Sequence, residues 1–287
     1  MKRKVLYIGG TGNISLASTE LAVKDGVELY LLTRGRSDES PPQGAKIIRG
    51  DIHSPGQVEK ALKGMEFDVV VNWIAFTPDD IHRDFQLFRN RTFQYIFISS
   101  ASAYQKPLQH PVITESTPLA NPYWDYSRDK IACEELLSRL YREEGFPVTI
   151  VRPSHTCRNV IPAAVGSWTD YTLIDRILQD REIVVHGDGT SLWTIMSSAD
   201  FARGFNGLLG HSQAIGHSFH ITSDEVLTWN QIYKIMGEAV GKKPRMVHVA
   251  SDYICKIADD LGMYFMRGNL LGDKAQSVIF DNSKIKT

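Results

Sequence analysis

The sequence predicts an α/β fold, a doubly wound parallel sheet followed by a smaller C-terminal lobe. Three observations predict it. Short apolar runs alternate with stretches of helical period over the first 150 or so residues. A glycine cluster sits where the first apolar run meets a helix, and beyond Pro153 the regular alternation gives way to short elements broken by Pro162, Gly166 and "HGDGTSLW".

Taken in order, "KVLYIGG" reads as a strand and "ISLASTELAVKDG" as a helix. "VELYLLTRG" and "AKIIRGD" are strands, and "PGQVEKALKG" is a helix opened by proline. The pattern repeats with strand "FDVVVNWIAF", a helix over 79–90, strand "FQYIFISS", a long helix over 125–144 and strand "PVTIVRP". Six strand-like runs therefore precede residue 153. Further on, "SADFARGFNGLLG" and "GHSFHIT" read as a helix and a strand that return to the sheet. "TWNQIYKIMGEAVGKKP" is a helix with a capping box from Thr228 to Gln231 and Gly241 at its end. The last residues, "SVIFDNSKIKT", read as a strand and a charged tail without a closing helix. The expected division is 1–152, rejoined by 195–222, for the first domain, with 153–194 and 223–287 forming the lobe.

At 287 residues and 43% hydrophobic, the chain can bury a full core. A formal charge of −1 supplies no basic field for a phosphate backbone and disfavours nucleic acid as a partner. The four apolar residues after "MKRK" are too few for a signal-peptide core, and no run reaches membrane-spanning length. Cys133, Cys157 and Cys255 are widely spaced and odd in number, which fits neither a disulfide framework nor a zinc site and points to a reducing cytoplasm. His217 and His220, three apart in a strand, point to opposite faces, so no metal site is expected.

Gly9, Gly12 and Ser15 stand at the three small-residue positions of a strand-to-helix turn. Glycines there let backbone N–H groups approach a pyrophosphate at the positive end of a helix. The same letters also serve a plain tight turn, and the βαβ context tips the balance to a nucleotide. Thr33 occupies the end of the second strand, where an acidic residue would hold the ribose hydroxyls of NAD. Arg34 and Arg36 follow, and guanidinium groups there favour NADP over NAD. Asp51 and Ile52, ending the third strand, form a lip for the adenine.

Ser100 follows the fifth strand, and "YSRDK" puts Tyr126 and Lys130 on one face of a helix. A phenol with a pKa near 10 needs a neighbouring cation to take up chemistry close to neutrality, and Lys130 supplies one. Ser100 is placed to hydrogen-bond the substrate oxygen whose proton moves while hydride passes to or from a nicotinamide.

Together, Gly9, Gly12, Asp51, "SSASAY", "YSRDK" and "VRPSH" resemble the extended short-chain dehydrogenases/reductases, the NAD-dependent epimerase/dehydratase family. The resemblance spans nearly the whole chain. It implies a Rossmann-type domain binding NAD(P), a substrate lobe, and Ser100, Tyr126 and Lys130 as the catalytic triad. It further implies cofactor contacts at Asn13, Ile14, Ala75 and Pro153 besides Gly9, Gly12, Arg34, Arg36, Asp51, Ile52, Tyr126 and Lys130. Substrate contacts are implied at Phe76, Ser102, His155 and Trp193, and a homodimer built on helices 79–90 and 125–144.

Departures narrow the reading. Ala101 and Ser102 stand where dehydratases of the family carry an Asp-Glu pair, which argues against acid-assisted loss of water. Trp193 stands where nucleotide-sugar epimerases hold a diphosphate with arginine; it can line a stacking pocket or serve the core. His155 replaces a substrate-contacting asparagine, and both a donor role and a satisfied structural role are open to it. Asp200 is read as a helix N-terminal charge.

The leading expectation is an NAD(P)-dependent epimerase-like enzyme acting at a hydroxyl or keto carbon, of a sugar or nucleotide sugar among others. The alternatives are a net NADP-dependent oxidoreductase on a non-nucleotide substrate, an RNA-binding protein of the kind seen in the chloroplast stem-loop branch, which the "GGTG" opening and the "GDG" segment resemble, and a cofactor sensor without chemistry.

Overall fold

The structure, a computed structural model, describes residues 2–36 and 39–287. Its centre is a sheet of seven parallel strands: β1 (Lys4–Ile8), β2 (Glu28–Thr33), β3 (Lys46–Arg49), β4 (Phe67–Asn72), β5 (Thr92–Ile98), β6 (Val148–Pro153) and β7 (Ser218–Ile221). Their order is β7-β6-β5-β4-β1-β2-β3. The chain runs outward from β1 in one direction, then crosses back to β4. That reversal opens a crevice at the carboxyl ends of β1 and β4, where such sheets take ligands.

A two-residue period explains why both faces are covered. In β1, Leu6 and Ile8 belong to an apolar cluster with Val58 of α2 (Pro55–Ala61), Ile81 and Phe85 of α3 (Pro78–Phe88), and Leu137 of α4 (Asp125–Glu144). Val5 and Tyr7 point to the opposite cluster, with Ala22 of α1 (Ser15–Lys24) and Phe201 and Phe205 of α6 (Ser198–Leu208), α5 being Thr172–Leu178. Helix α3 begins one residue before the expected 79 because Thr77 and Asp80 close a capping box ahead of Pro78. The strand expected to reach Phe76 stops at Asn72, because the chain leaves the sheet there and Trp73, Ile74 and Phe76 line the crevice. Asp200 lies in the first turn of α6, where its N–H donates to the Ser197 hydroxyl at 3.1 Å.

A third apolar cluster is built by Trp193, Trp229, Tyr233, Ile254, Leu270 and Phe280. It contains α7 (Trp229–Ala239), whose capping box from Thr228 to Gln231 is present, α8 (Ser251–Asp260) and α9 (Phe265–Asn269). Ala101, Tyr104 and Ile113 pack into this cluster as well, so packing changes well before residue 153. The reason is a pairing across the chain: Val112–Ile113 runs parallel to Ile279–Phe280. The chain end also differs from expectation, since Ser283–Lys286 forms a short helix, α10, against β7. Between α9 and that end lies a π turn, Leu270–Lys274. No helix among the described residues is long and apolar enough to cross a membrane.

Candidate active site

A cavity of about 840 Å³ runs from the glycine turn, past the ends of β1, β2 and β5, to the π turn. At the turn, Gly9 and Gly10 have φ of +90° and +110°. A Cβ at Gly9 would lie 3.2 Å from Ile74, and one at Gly10 would lie 3.0 Å from Leu31. Only glycine keeps this floor open and its backbone unstrained. Ser15, in place of a third glycine, accepts from Gly12 N–H at 2.9 Å and is buried. Asn13 and Ile14 line the cavity, but the Asn13 amide also clamps the turn: it donates to the Thr156 carbonyl at 2.7 Å and accepts from Arg158 N–H at 2.9 Å.

Farther along, Arg34, Arg36, Asp51 and Ile52 line the same cavity. The Thr33 hydroxyl accepts from Gly35 N–H at 3.1 Å, so it holds its own loop. Arg34 lies 3.9 Å from Asp51 and is half exposed. The shape and donors of this end fit a dinucleotide: an open glycine floor, a helix N-terminus, and cations beyond the second strand.

Ser100, Tyr126 and Lys130 meet at the next section. Ser100 caps a single 3₁₀ turn, Ala101–Ala103, accepting from Ser102 N–H at 3.2 Å. Ser102 lies 2.9 Å from the Ser100 hydroxyl and accepts from Ser127 at 2.7 Å. Lys130 is buried, and its ammonium donates to the carbonyls of Ala75 at 2.7 Å and Ile98 at 2.8 Å. It also lies 5.8 Å from the ring centre of Tyr126 and 4.5 Å from that of Phe76. Ala75 does not line the cavity; its part is to hold Lys130. Burial lowers the Lys130 pKa to about 8. Burial pushes the Tyr126 phenol up to about 12; a hydrogen bond with Ser100 opposes the rise and the Asp273 carboxylate adds to it.

One turn along α4, Glu134 is paired with Arg152 at 2.6 Å and accepts from the Ser99 hydroxyl. Arg152 donates also to the Tyr104 hydroxyl at 3.1 Å, which meets His220 at 2.9 Å. A buried network thus fastens α4 to the strand ends on both sides of Ser100.

Pro153, Phe76, Ser102, His155 and Trp193 line the far end. Trp193 does both things the sequence left open, lining the cavity and packing 5.7 Å from Trp229 in the core. His155 is not a satisfied structural histidine: it is buried and stacked on Trp168 at 4.2 Å, with no partner for either ring nitrogen among the described residues. Its pKa lies well below the ordinary histidine value, chiefly through burial, with the Lys274 charge adding.

Sequence reasoning missed Trp124, Trp168, Asp273 and Lys274, all of which line the cavity. Asp273 and Lys274 arrive on the π turn, far from Tyr126 in the chain, and nothing in "LGDKAQ" marks them out locally.

A sequence profile described as the NAD dependent epimerase/dehydratase family matches residues 5–222. The chain is 26% identical over 261 residues to the chloroplast stem-loop binding protein of 41 kDa b of Arabidopsis thaliana, spanning 86% of this chain and 66% of that protein. It is 21% identical over 257 residues to the 2'-dehydrokanamycin reductase of Streptomyces kanamyceticus, 90% of this chain and 72% of that one. Among solved structures, UDP-glucuronic acid 4-epimerase from Bacillus cereus in complex with NAD superposes with a TM-score of 0.74 at 18% identity, covering 100% of this chain and 91% of that one. At that identity the likeness is one of fold.

Proposed function

The chain belongs to the NAD dependent epimerase/dehydratase family, and from that premise we propose that it is an NAD(P)-dependent, epimerase-like enzyme acting at a hydroxyl or keto carbon of a small molecule. The observation that carries the reading is the meeting of Ser100, Tyr126 and Lys130 in the same cavity as the glycine turn.

Gly9, Gly12, Asn13 and Ile14 would hold the pyrophosphate side of a nicotinamide nucleotide, with Arg34, Arg36 and Asp51 around the adenosine end. When bound, the nucleotide supplies a hydride acceptor and donor at carbon. The chain's own residues handle the oxygen. Ser100 donates a hydrogen bond to the substrate oxygen, and Tyr126 Oη receives or returns its proton. The Lys130 ammonium stabilises the phenolate form of Tyr126, which takes up the proton in oxidation and is left behind in reduction, offsetting the burial that disfavours it. Ala101 after Ser100 leaves no acidic pair for elimination of water, so transfer of hydride and proton is the whole of the chemistry assigned here.

A second reading, net oxidation or reduction of a non-nucleotide substrate, is favoured by one observation. The arginines lining the cavity among the described residues, Arg34 and Arg36, both lie by β2, leaving none at the far end to grip a diphosphate.

The test has two parts. Freshly purified protein is denatured and the released nucleotide identified by mass; a stoichiometric amount supports an epimerase that regenerates its cofactor, and an empty site that binds added nucleotide supports net redox. Tyr126→Phe should then abolish turnover while nucleotide affinity stays within about twofold. Unchanged turnover would overturn the mechanism. Failure to bind either nucleotide, with salt-sensitive binding of RNA, would overturn the enzyme reading itself.

A further inference from the structure

The far end of the cavity carries buried polar groups that the proposed chemistry does not use. The π turn presents Asp273 on the Tyr126 side and Lys274 on the His155 side. Lys274 is 1% exposed and lies 3.7 Å from Asp273; its ammonium donates to the Asn269 amide oxygen. It sits 5.3 Å from the ring centre of Trp168 and 5.8 Å from that of Trp193, the same rings that enclose His155.

A second buried lysine, Lys106, is 3% exposed and has no hydrogen-bond partner for its Nζ. The carboxylate acting on it is again Asp273. Lys106 does not line this cavity, which leaves Lys274 as the lysine beside His155; burial lowers the pKa of both lysines and raises that of Asp273.

The backbone under this cluster is held firmly. The Lys274 carbonyl accepts from Trp229 Nε1 at 3.0 Å and contacts His186 Nε2 at 3.1 Å. Beside Lys274, neutral His155 offers one N–H donor and one lone pair, both without a partner. Buried polar atoms without partners, inside a lined cavity, mark a place where a ligand supplies the missing atoms.

Resting on the reading that this is a hydride-transferring enzyme, we propose that its substrate is a compact hydroxy acid, or the matching keto acid, whose carboxylate sits between Lys274 and His155 while its carbinol carbon faces Tyr126 and Ser100. A carboxylate can accept from the Lys274 ammonium and from the ring N–H of His155 together. A diphosphate brings more charge and calls for the bidentate grip of arginine, which this end lacks among the described residues. The indole walls of Trp124, Trp168 and Trp193 favour an apolar or aromatic body on the acid.

The test reads binding rather than turnover. Phenyllactate and 3-phenylpropane-1,2-diol have nearly the same shape and differ in charge; each is titrated into the full-length protein by calorimetry, beside UDP-glucose. The acid should bind roughly tenfold or more tightly than the diol. In Lys274→Met that preference should shrink to about twofold or less, with the diol unaffected, and Lys274→Arg should restore most of it. Equal affinity for acid and diol, no saturable binding of the acid, tighter binding of UDP-glucose, or a preference that survives Lys274→Met would each overturn the proposal. Should Lys274→Met fail to fold, the wild-type ratio and Lys274→Arg decide. Because no turnover is involved, a negative Tyr126→Phe result leaves this measurement standing, and the reverse also holds.

Discussion

Asn121 donates its Nδ2 to the Gly272 carbonyl at 2.7 Å and to the Ser102 carbonyl at 2.8 Å. One buried side chain thereby joins the loop that carries Ser100 to the π turn that carries Asp273 and Lys274. Its Oδ1 accepts from Tyr123 N–H at 3.1 Å, so the amide is fully engaged just ahead of α4. Asn121→Ala strands two buried carbonyls, and an unsatisfied buried group costs roughly 1–3 kcal/mol. The variant should lose about that much stability in urea unfolding and bind substrate more weakly, with nucleotide affinity retained. An unchanged urea midpoint would show that the two loops do not depend on this bridge.

Lys130 gives a pH signature with a definite sign. Burial holds its folded pKa at about 8, below the value near 10.4 of an unfolded chain. Below pH 8 both states hold the proton and the cost of burying the ammonium is fully present. Between the two values the unfolded chain binds a proton that the folded chain has released, so this group's contribution to stability rises with pH through that window. Wild type should therefore gain stability relative to Lys130→Met between about pH 7 and about pH 9.5 in paired urea titrations. Turnover that relies on the ammonium should fall over the same window. A wild type that instead loses stability relative to the variant would show that the Ala75 and Ile98 carbonyls outweigh burial.

Arg34 and Arg36 decide the nucleotide if the 2′-phosphate is what they meet. Arg34→Glu with Arg36→Glu should weaken NADP by roughly tenfold or more while NAD changes little, because a charge-assisted contact is replaced by repulsion. Fluorescence titration with both nucleotides reads the ratio. An NAD preference in the wild type would reverse the assignment and leave Asp51, 3.9 Å from Arg34, as the group that neutralises it.

Much of this site was legible in the chain. The glycine turn and the strand-end serine are set by local rules: glycine for positive φ, and a strand that ends where its side chains stop alternating. Tyr126 and Lys130 could be paired because four residues on a helix share a face, and α4 spans Asp125–Glu144 as the period predicts. The packing of Ala101, Tyr104 and Ile113 into the third cluster was not legible, because the pairing of residues 112–113 with 279–280 is non-local and leaves no periodic trace. His155 could be flagged but not decided: only the neighbouring Trp168 and Trp193 rings show that both its nitrogens lack partners.

By itself, then, the sequence determined the parallel sheet, the glycine turn and the convergence of Ser100, Tyr126 and Lys130, because each rests on spacing within one element or on the junction between a strand and its helix. The tertiary structure alone decided the far end of the cavity. Asp273 and Lys274 are ordinary charged residues in the chain, and their burial depends on a π turn docked by Asn121 and Trp229. Desolvation belongs to the assembled fold and not to any local segment, so charges that would be unremarkable in water become, once enclosed, a demand for a partner.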